Sequence, residues 1–175
     1  ILETETQGDI NGDGKITYIM GKGAPENIDA QYRTEYSIKA LTDAGKEVEC
    51  LYEYLDNWDQ TTAQQDVANA LAQYGEKIEV VFCNNDAMAL GALQSIEQAG
   101  RTVGTDIYLV GVDALKEAVQ NVVDGKMTGT VLNDDVGQAT AAANATKLYV
   151  DGSDVDEYYW VDYVKVTTEN AAQYL

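Results

Sequence analysis

Residues Asp9 to Thr17 read "DINGDGKIT", and their spacing is that of a loop for a hard cation. Asp9, Asn11 and Asp13 set oxygen side chains at loop positions one, three and five. Gly14 permits the sharp turn at position six, and Ile16 at position eight anchors the loop to a core. Such a loop closes with a carboxylate at position twelve, which here is Met20. Either the last ligand comes from elsewhere in the chain, or the segment is an acidic glycine turn that holds no metal.

A second set of polar residues follows a series of short apolar runs. Asp29 and Arg33 lie one helical turn apart after the first run. Trp58 follows the second, flanked by Asp56 and Asp59. Asn84, Asn85 and Asp86 close the third, Asp113 the fourth, and Asn133, Asp134 and Asp135 the fifth. Each has a plain explanation. Asp29 and Arg33 make an exposed pair worth about 0.3–0.5 kcal/mol; Asn85, Asp86 and Asp113 cap helices; Asp134 and Asp135 form a solvated turn; Trp58 is a core residue at a helix start. Together at one edge they suit another chemistry. Sugar hydroxyls donate and accept at once, and planar carboxylates, amides and guanidinium groups meet them in pairs. The indole offers a plane for the apolar face of a pyranose.

Catalysis is less well supported. The chain has no histidine, which excludes an imidazole base, a Ser-His pair and a histidine metal ligand. No two carboxylates are set apart as an acid/base pair. "GKGAPE", Gly21 to Glu26, mimics a dinucleotide fingerprint with Asp56 as the ribose acid, but Glu26 at the third glycine position repels a pyrophosphate.

Five apolar runs must position these groups: "ITYIMG" from Ile16, "VECLYEYL" from Val48, "IEVVFCN" from Ile78, "IYLVGVD" from Ile107 and "GTVLND" from Gly129. Their near-continuous hydrophobicity predicts strands buried on both faces. Helical segments intervene at Asp29–Ala44, Thr61–Tyr74, Asp86–Ala99 and Ala114–Asp124, and each stops at a glycine: Gly45, Gly75, Gly100 and Gly125. An alanine-rich helix, Val136–Val150, precedes the acidic linker "DGSDVDE" and a last strand, Tyr158–Val166. The fold class is therefore α/β, a doubly wound parallel sheet flanked by helices, with ligands at the carboxyl ends of the strands. Residues 1–8 read as a residual upstream segment, 9–135 as the cation loop with a βα lobe, and 136–175 as a helix, linker and returning strand.

Thirty acidic residues against eleven basic ones give a net charge of -19, which disfavours nucleic acid and anionic lipid as partners. Cys50 and Cys83 lie inside apolar runs and are expected to be buried free thiols. No signal peptide opens the chain, and "ILETETQG" looks like the tail of something removed, as in a fragment.

The segments "GDINGDGKI", "IDAQYRTEYSIKAL", "KIEVVFCNNDAMALGAL", "VGVDALKEA" and "GTVLND" resemble the bacterial galactose/glucose-binding proteins, the sugar-capturing subunits of ABC importers. The resemblance runs in order from Asp9 to Leu175. It implies a type I periplasmic-binding-protein lobe, an extracytoplasmic location in the periplasm or on a lipid anchor, and roles in carbohydrate transport and chemotaxis. It also implies that Asp29 and Arg33 hydrogen-bond the sugar, that Trp58 stacks on it, and that Asn85, Asp113 and Asn133 bind further hydroxyls. Asn27 stands where family members carry a sugar-contacting histidine. The chain resembles the second lobe only, so the surface left by a missing lobe is expected to promote self-association, and an ABC permease is the partner of the intact protein.

In doubly wound sheets the order begins 2-1-3, so the third strand lies beside the first. Glu79 then stands at the amino edge next to the cation loop and can supply what Met20 cannot, the role the resemblance gives a glutamate there. The expected calcium ligands are Asp9, Asn11, Asp13, the Lys15 carbonyl, Thr17 and Glu79, with Thr17 where the family usually has glutamine. Two other readings share parts of the pattern: the effector domain of a LacI-type repressor, which has this fold, and a dockerin-like module, which has two closed loops of the "DINGDGKIT" kind.

Overall fold

The structure is a computed structural model describing residues 1–175. Strands β1 (Lys15–Lys22), β2 (Glu47–Leu55), β3 (Val80–Cys83), β4 (Tyr108–Val110), β5 (Thr130–Leu132) and β6 (Val164–Val166) alternate with helices α1 (Ile28–Asp43), α2 (Gln60–Tyr74), α3 (Asp86–Gln98), α4 (Lys116–Val123) and α5 (Asp135–Val150). β1 to β4 form a parallel sheet in the order β2-β1-β3-β4. β5 continues it through parallel bridges from Val110 to Gly129 and from Asp113 to Leu132, and β6 pairs antiparallel with β5. The expected 2-1-3 order and the α/β class both hold. All four stop glycines adopt positive φ, a backbone conformation that glycine takes at no Cβ cost.

Three expectations are corrected. β2 is an edge strand rather than one buried on both faces: of its residues only Tyr54 is buried. Its outward glutamates meet the neighbouring strand, Glu49 with Lys15 at 2.9 Å and Glu53 with Lys22 at 3.1 Å. Charges along an edge also discourage pairing with other chains. Cys50, on that strand, is therefore exposed, whereas Cys83 is buried; both thiols are free, with β1 between them. The last strand is Val164–Val166 instead of Tyr158–Val166, because a ladder cannot outrun its partner and β5 offers only Thr130–Leu132.

The core is lopsided. Twenty-four buried residues fill one side of the sheet, where α2, α3 and α4 pack. Only seven fill the other, where α1 and the turns around Ile1 and Leu2 provide cover. That thin side keeps a groove of about 620 Å³, lined by Leu2, Phe82, Tyr108, Val110, Met127 and Val131 among others. α5 buries no residue at all. No helix is long and apolar enough to cross a membrane.

Candidate functional site

The carboxyl edge of the sheet is built around Arg33, on the second turn of α1. Its Nη1 donates to the Asn84 carbonyl at 2.8 Å and to Asp113 Oδ1 at 3.1 Å, and Nη2 reaches the Tyr163 hydroxyl at 3.4 Å. The guanidinium carbon lies 5.8 Å from the centre of the Trp58 ring and 5.9 Å from that of Tyr163. Aromatic faces at that range attract a cation. The Arg33 Nε–H is buried and has no partner. A buried donor on a charged group costs more than 1 kcal/mol if left unmade, so this atom calls for an acceptor.

The plain pairing of Arg33 with Asp29 is replaced by Arg33 with Asp113, which comes from the loop after β4. Burial raises the Asp113 carboxyl above its usual range more than Arg33 lowers it, and Asp29 raises it further. Asp113 does not cap α4, whose cap residue is Leu115, without a side-chain bond.

Asn84 ties three elements together from β3. It is buried; its Oδ1 accepts from Gly23 N–H at 3.1 Å, and its Nδ2 donates to the Thr34 hydroxyl at 3.1 Å. Asp86 does the same on the other flank. Its oxygens accept from the Thr130 hydroxyl at 2.7 Å and from Leu115 N–H at 2.9 Å, and its backbone N–H donates to Val112. Burial pushes its carboxyl up to about 6, against the pull of those bonds. The strand-end pattern grouped both with the polar residues of this edge and read Asp86 as a cap; in the structure Asn85 is the cap, and Asn84 and Asp86 fix α1, which carries Arg33, and the loop that carries Asp113.

Trp58 sits in the turn from β2 to α2, with Asp59 capping α2 through Thr62 N–H at 2.7 Å. Its indole packs against Gly23, where an added Cβ would lie 2.2 Å from the ring, so only glycine admits it. Asn57 and Trp58 both have positive φ, as do Asp113 and Ala114. Four of the five non-glycine residues with positive φ thus lie at this edge, where backbone strain tends to mark function. Beneath this turn Asp56 is only 1% exposed, and neither carboxyl oxygen has a partner; nor has the buried Tyr54 hydroxyl. Burial first, then Asp66 and Asp59, push Asp56 up to about 8, so it is largely a neutral acid at pH 7.

Of the remaining candidates, Asn27 and Asn85 cap α1 and α3 by accepting from Asp29 N–H (2.7 Å) and Met88 N–H (2.9 Å). Each keeps its amide NH₂ available. Asn133 accepts from the Gln138 amide at 2.7 Å. Asp29 is exposed.

At the opposite edge the cation loop folds on itself. Asp9 accepts from Gly12, Asp13 and Gly14 N–H groups at 2.8–3.1 Å, Asn11 from Asp13, and Asp13 from Lys15. Glu79, 1% exposed, reaches in from the start of β3. Its Oε1 accepts from Ile10 N–H (2.7 Å) and Asn11 N–H (2.9 Å), and its Oε2 from Thr17 N–H (2.8 Å). Thr17 turns its hydroxyl toward Glu79 and the Lys77 carbonyl. No three acidic, His or Cys side chains converge closely enough to hold a metal by themselves. The donor set fits a hard cation only with Asn11 and the Lys15 carbonyl included, and Glu79 would have to share oxygens now bonded to the loop.

A doubly wound lobe with a polar, aromatic cleft edge is the build of a solute-binding domain. Residues 7–154 match the family Periplasmic binding protein domain, and the chain belongs to that family. It is 35% identical to the D-galactose/methyl-galactoside binding periplasmic protein MglB of Haemophilus influenzae, over 95% of this chain and 52% of that protein. Among solved structures, a solute binding protein of an ABC transporter from Bacillus halodurans with bound myo-inositol is 28% identical, with a TM-score of 0.80, over 94% of this chain and 55% of that one. A periplasmic solute binding protein from Actinobacillus succinogenes with bound D-allose shares the fold at a TM-score of 0.84 and 23% identity, over 95% and 58%. The chain thus spans about half the length of these relatives.

Proposed function

We propose that this chain is the hexose-binding lobe of an extracytoplasmic sugar-binding subunit of an ABC importer, taking glucose or galactose and acting as a binder, not an enzyme. The observation that carries this reading is the Arg33 cluster: a guanidinium fixed by Asn84 and Asp113, flanked by Trp58, with a buried Nε–H lacking an acceptor. A sugar hydroxyl is such an acceptor. Asp29, Asn27, Asn85 and Asn133 border the same edge and supply further planar groups. The galactoside named for the Haemophilus relative supports a hexose, and the inositol and allose named for the solved structures support a polyhydroxylated ring.

In this reading a calcium ion, held by Asp9, Asn11, Asp13, Glu79 and the Lys15 carbonyl with Thr17 against Glu79, is structural, since its loop lies at the edge away from the Arg33 cluster. In the intact protein the sugar passes to an ABC permease.

Affinity in two-lobed binders comes from closure, and one lobe leaves one face of the ring in water. The expected dissociation constant for D-galactose or D-glucose is therefore about a millimolar or weaker, near -4 kcal/mol. The test is an NMR titration of the Trp58 indole N–H. Saturable millimolar shifts support the reading. Saturation at micromolar sugar overturns the half-cleft reading, and no response to either hexose overturns sugar binding.

A further inference from the structure

We propose that Tyr163 is a positioning residue of the ligand site, holding the Arg33 guanidinium against Trp58 so that the fork is aligned for a hydroxyl of the ligand. This rests on the sugar-binding reading above and extends it to a segment with no motif of its own.

Tyr163 is delivered by register. β5 and β6 pair Thr130 with Val166, Val131 with Lys165 and Leu132 with Val164. Asn133 and Tyr163 each lie one residue beyond the last pair, at the open end of that ladder. Leu132 in turn bridges Asp113. Asp113, Leu132 and Val164 thus stand in one row across three neighbouring segments, and Asn133 and Tyr163 lie one residue past it at the carboxyl edge.

The contacts of Arg33 then divide the work. One nitrogen serves the protein frame through Asn84 and Asp113, a second meets the Tyr163 hydroxyl, and Nε is unclaimed. The guanidinium lies within cation–π range of two rings. Trp58 is fixed by its turn and by Gly23. Tyr163 is half-exposed and follows a stretch without regular structure, so it is the adjustable partner. A fork with one fewer fixed contact spends binding free energy on its own ordering.

The experiment uses the 175-residue chain with Tyr163→Phe and Tyr163→Leu, and Tyr149→Phe as an exposed control. Two readouts are taken: the Arg33 Nε–H resonance without ligand, and its shift with D-galactose, D-glucose, D-allose and myo-inositol. Tyr163→Phe is expected to move the ligand-free Arg33 signal and weaken ligand binding about three- to tenfold, the size of one lost hydrogen bond. Tyr163→Leu is expected to add loss of the ring-current shift, with melting unchanged. An Arg33 signal identical in the wild type and both variants overturns the proposal, whether or not sugars bind. So does an unchanged affinity in both variants. If the wild type binds none of the four ligands while its Arg33 signal still responds to Tyr163, the sugar reading fails and the positioning contact stands.

Discussion

Arg33 and Asp113, eighty positions apart, meet at 3.1 Å where α1 faces the loop after β4. The pair joins the first βα unit to the fourth, so it reports on both site and fold. Asp113→Asn leaves Arg33 with a neutral partner that can still accept from Nη1, and since burial outweighs the pairing at Asp113, stability is expected to change by less than about 1 kcal/mol. Arg33→Lys keeps the charge but loses the planar fork, and with it the Nη2 contact to Tyr163 and the unclaimed Nε–H. Urea melts of both single variants and the double variant give the coupling; additive losses would show that the pair contributes nothing.

Asp56 makes stability pH-dependent. Its folded value of about 8 lies above its ordinary value of 3.8, so between these limits the folded state holds a proton that the unfolded chain has released. Stability therefore falls as pH rises from about 4 to about 8 and levels off above. Asp86, raised to about 6, adds a fall confined to lower pH. Asp56→Asn is expected to flatten the pH 6–8 portion and to stabilise the protein at pH 8 by on the order of 2–3 kcal/mol. Melts of both proteins across this range decide it; parallel curves would refute the buried-acid assignment.

Glu79 has two separable effects. It clasps the loop through three backbone N–H groups, so Glu79→Gln is expected to lose about 1–3 kcal/mol in chelator, where no calcium is present. Calcium at a hundredfold excess over its dissociation constant should add about 2.7 kcal/mol to the wild type and little to the variant. A wild-type melt indifferent to EDTA removes the calcium assignment while leaving the clasp in place.

The thinly covered side of the sheet is expected to drive self-association. The groove leaves Leu2 and Val110 only partly buried, and α5 with its following loop exposes Val136, Tyr149 and Trp160, the last at 86%. Apolar surface on this scale tends to find a partner. Light scattering at rising concentration should show dimers or larger species, reduced by Leu2→Glu. A monomer at high concentration would count against it.

The alternation of strands and helices was legible because local signals agree: apolar runs, cap residues and a glycine after each of the first four helices. The strand-end residues were legible for the same reason, since position on a βα unit fixes which edge they reach. The pairing of Arg33 with Asp113 instead of Asp29 was not, because it depends on which strand ends become neighbours. β2 misled because Tyr and Cys read as core residues, while its three glutamates showed the edge. In the sequence Asp56 is one of two acids flanking Trp58, and only the packing of Tyr54 and Gly21 around it shows that it is buried. Tyr163 lies in a stretch with no period to read.

The β5–β6 ladder also bears on how the chain can be cut and joined. Its last pair is Leu132 with Val164, and α5, which lies between them in the chain, contributes no buried residue to the lobe. That excursion is an insert with its two ends already clamped. Its length enters the free energy chiefly through closure entropy, which grows only logarithmically. A two-residue Asn-Gly hairpin in its place would keep the sheet intact, and a domain spliced in at the same point would leave the lobe's folding nearly untouched.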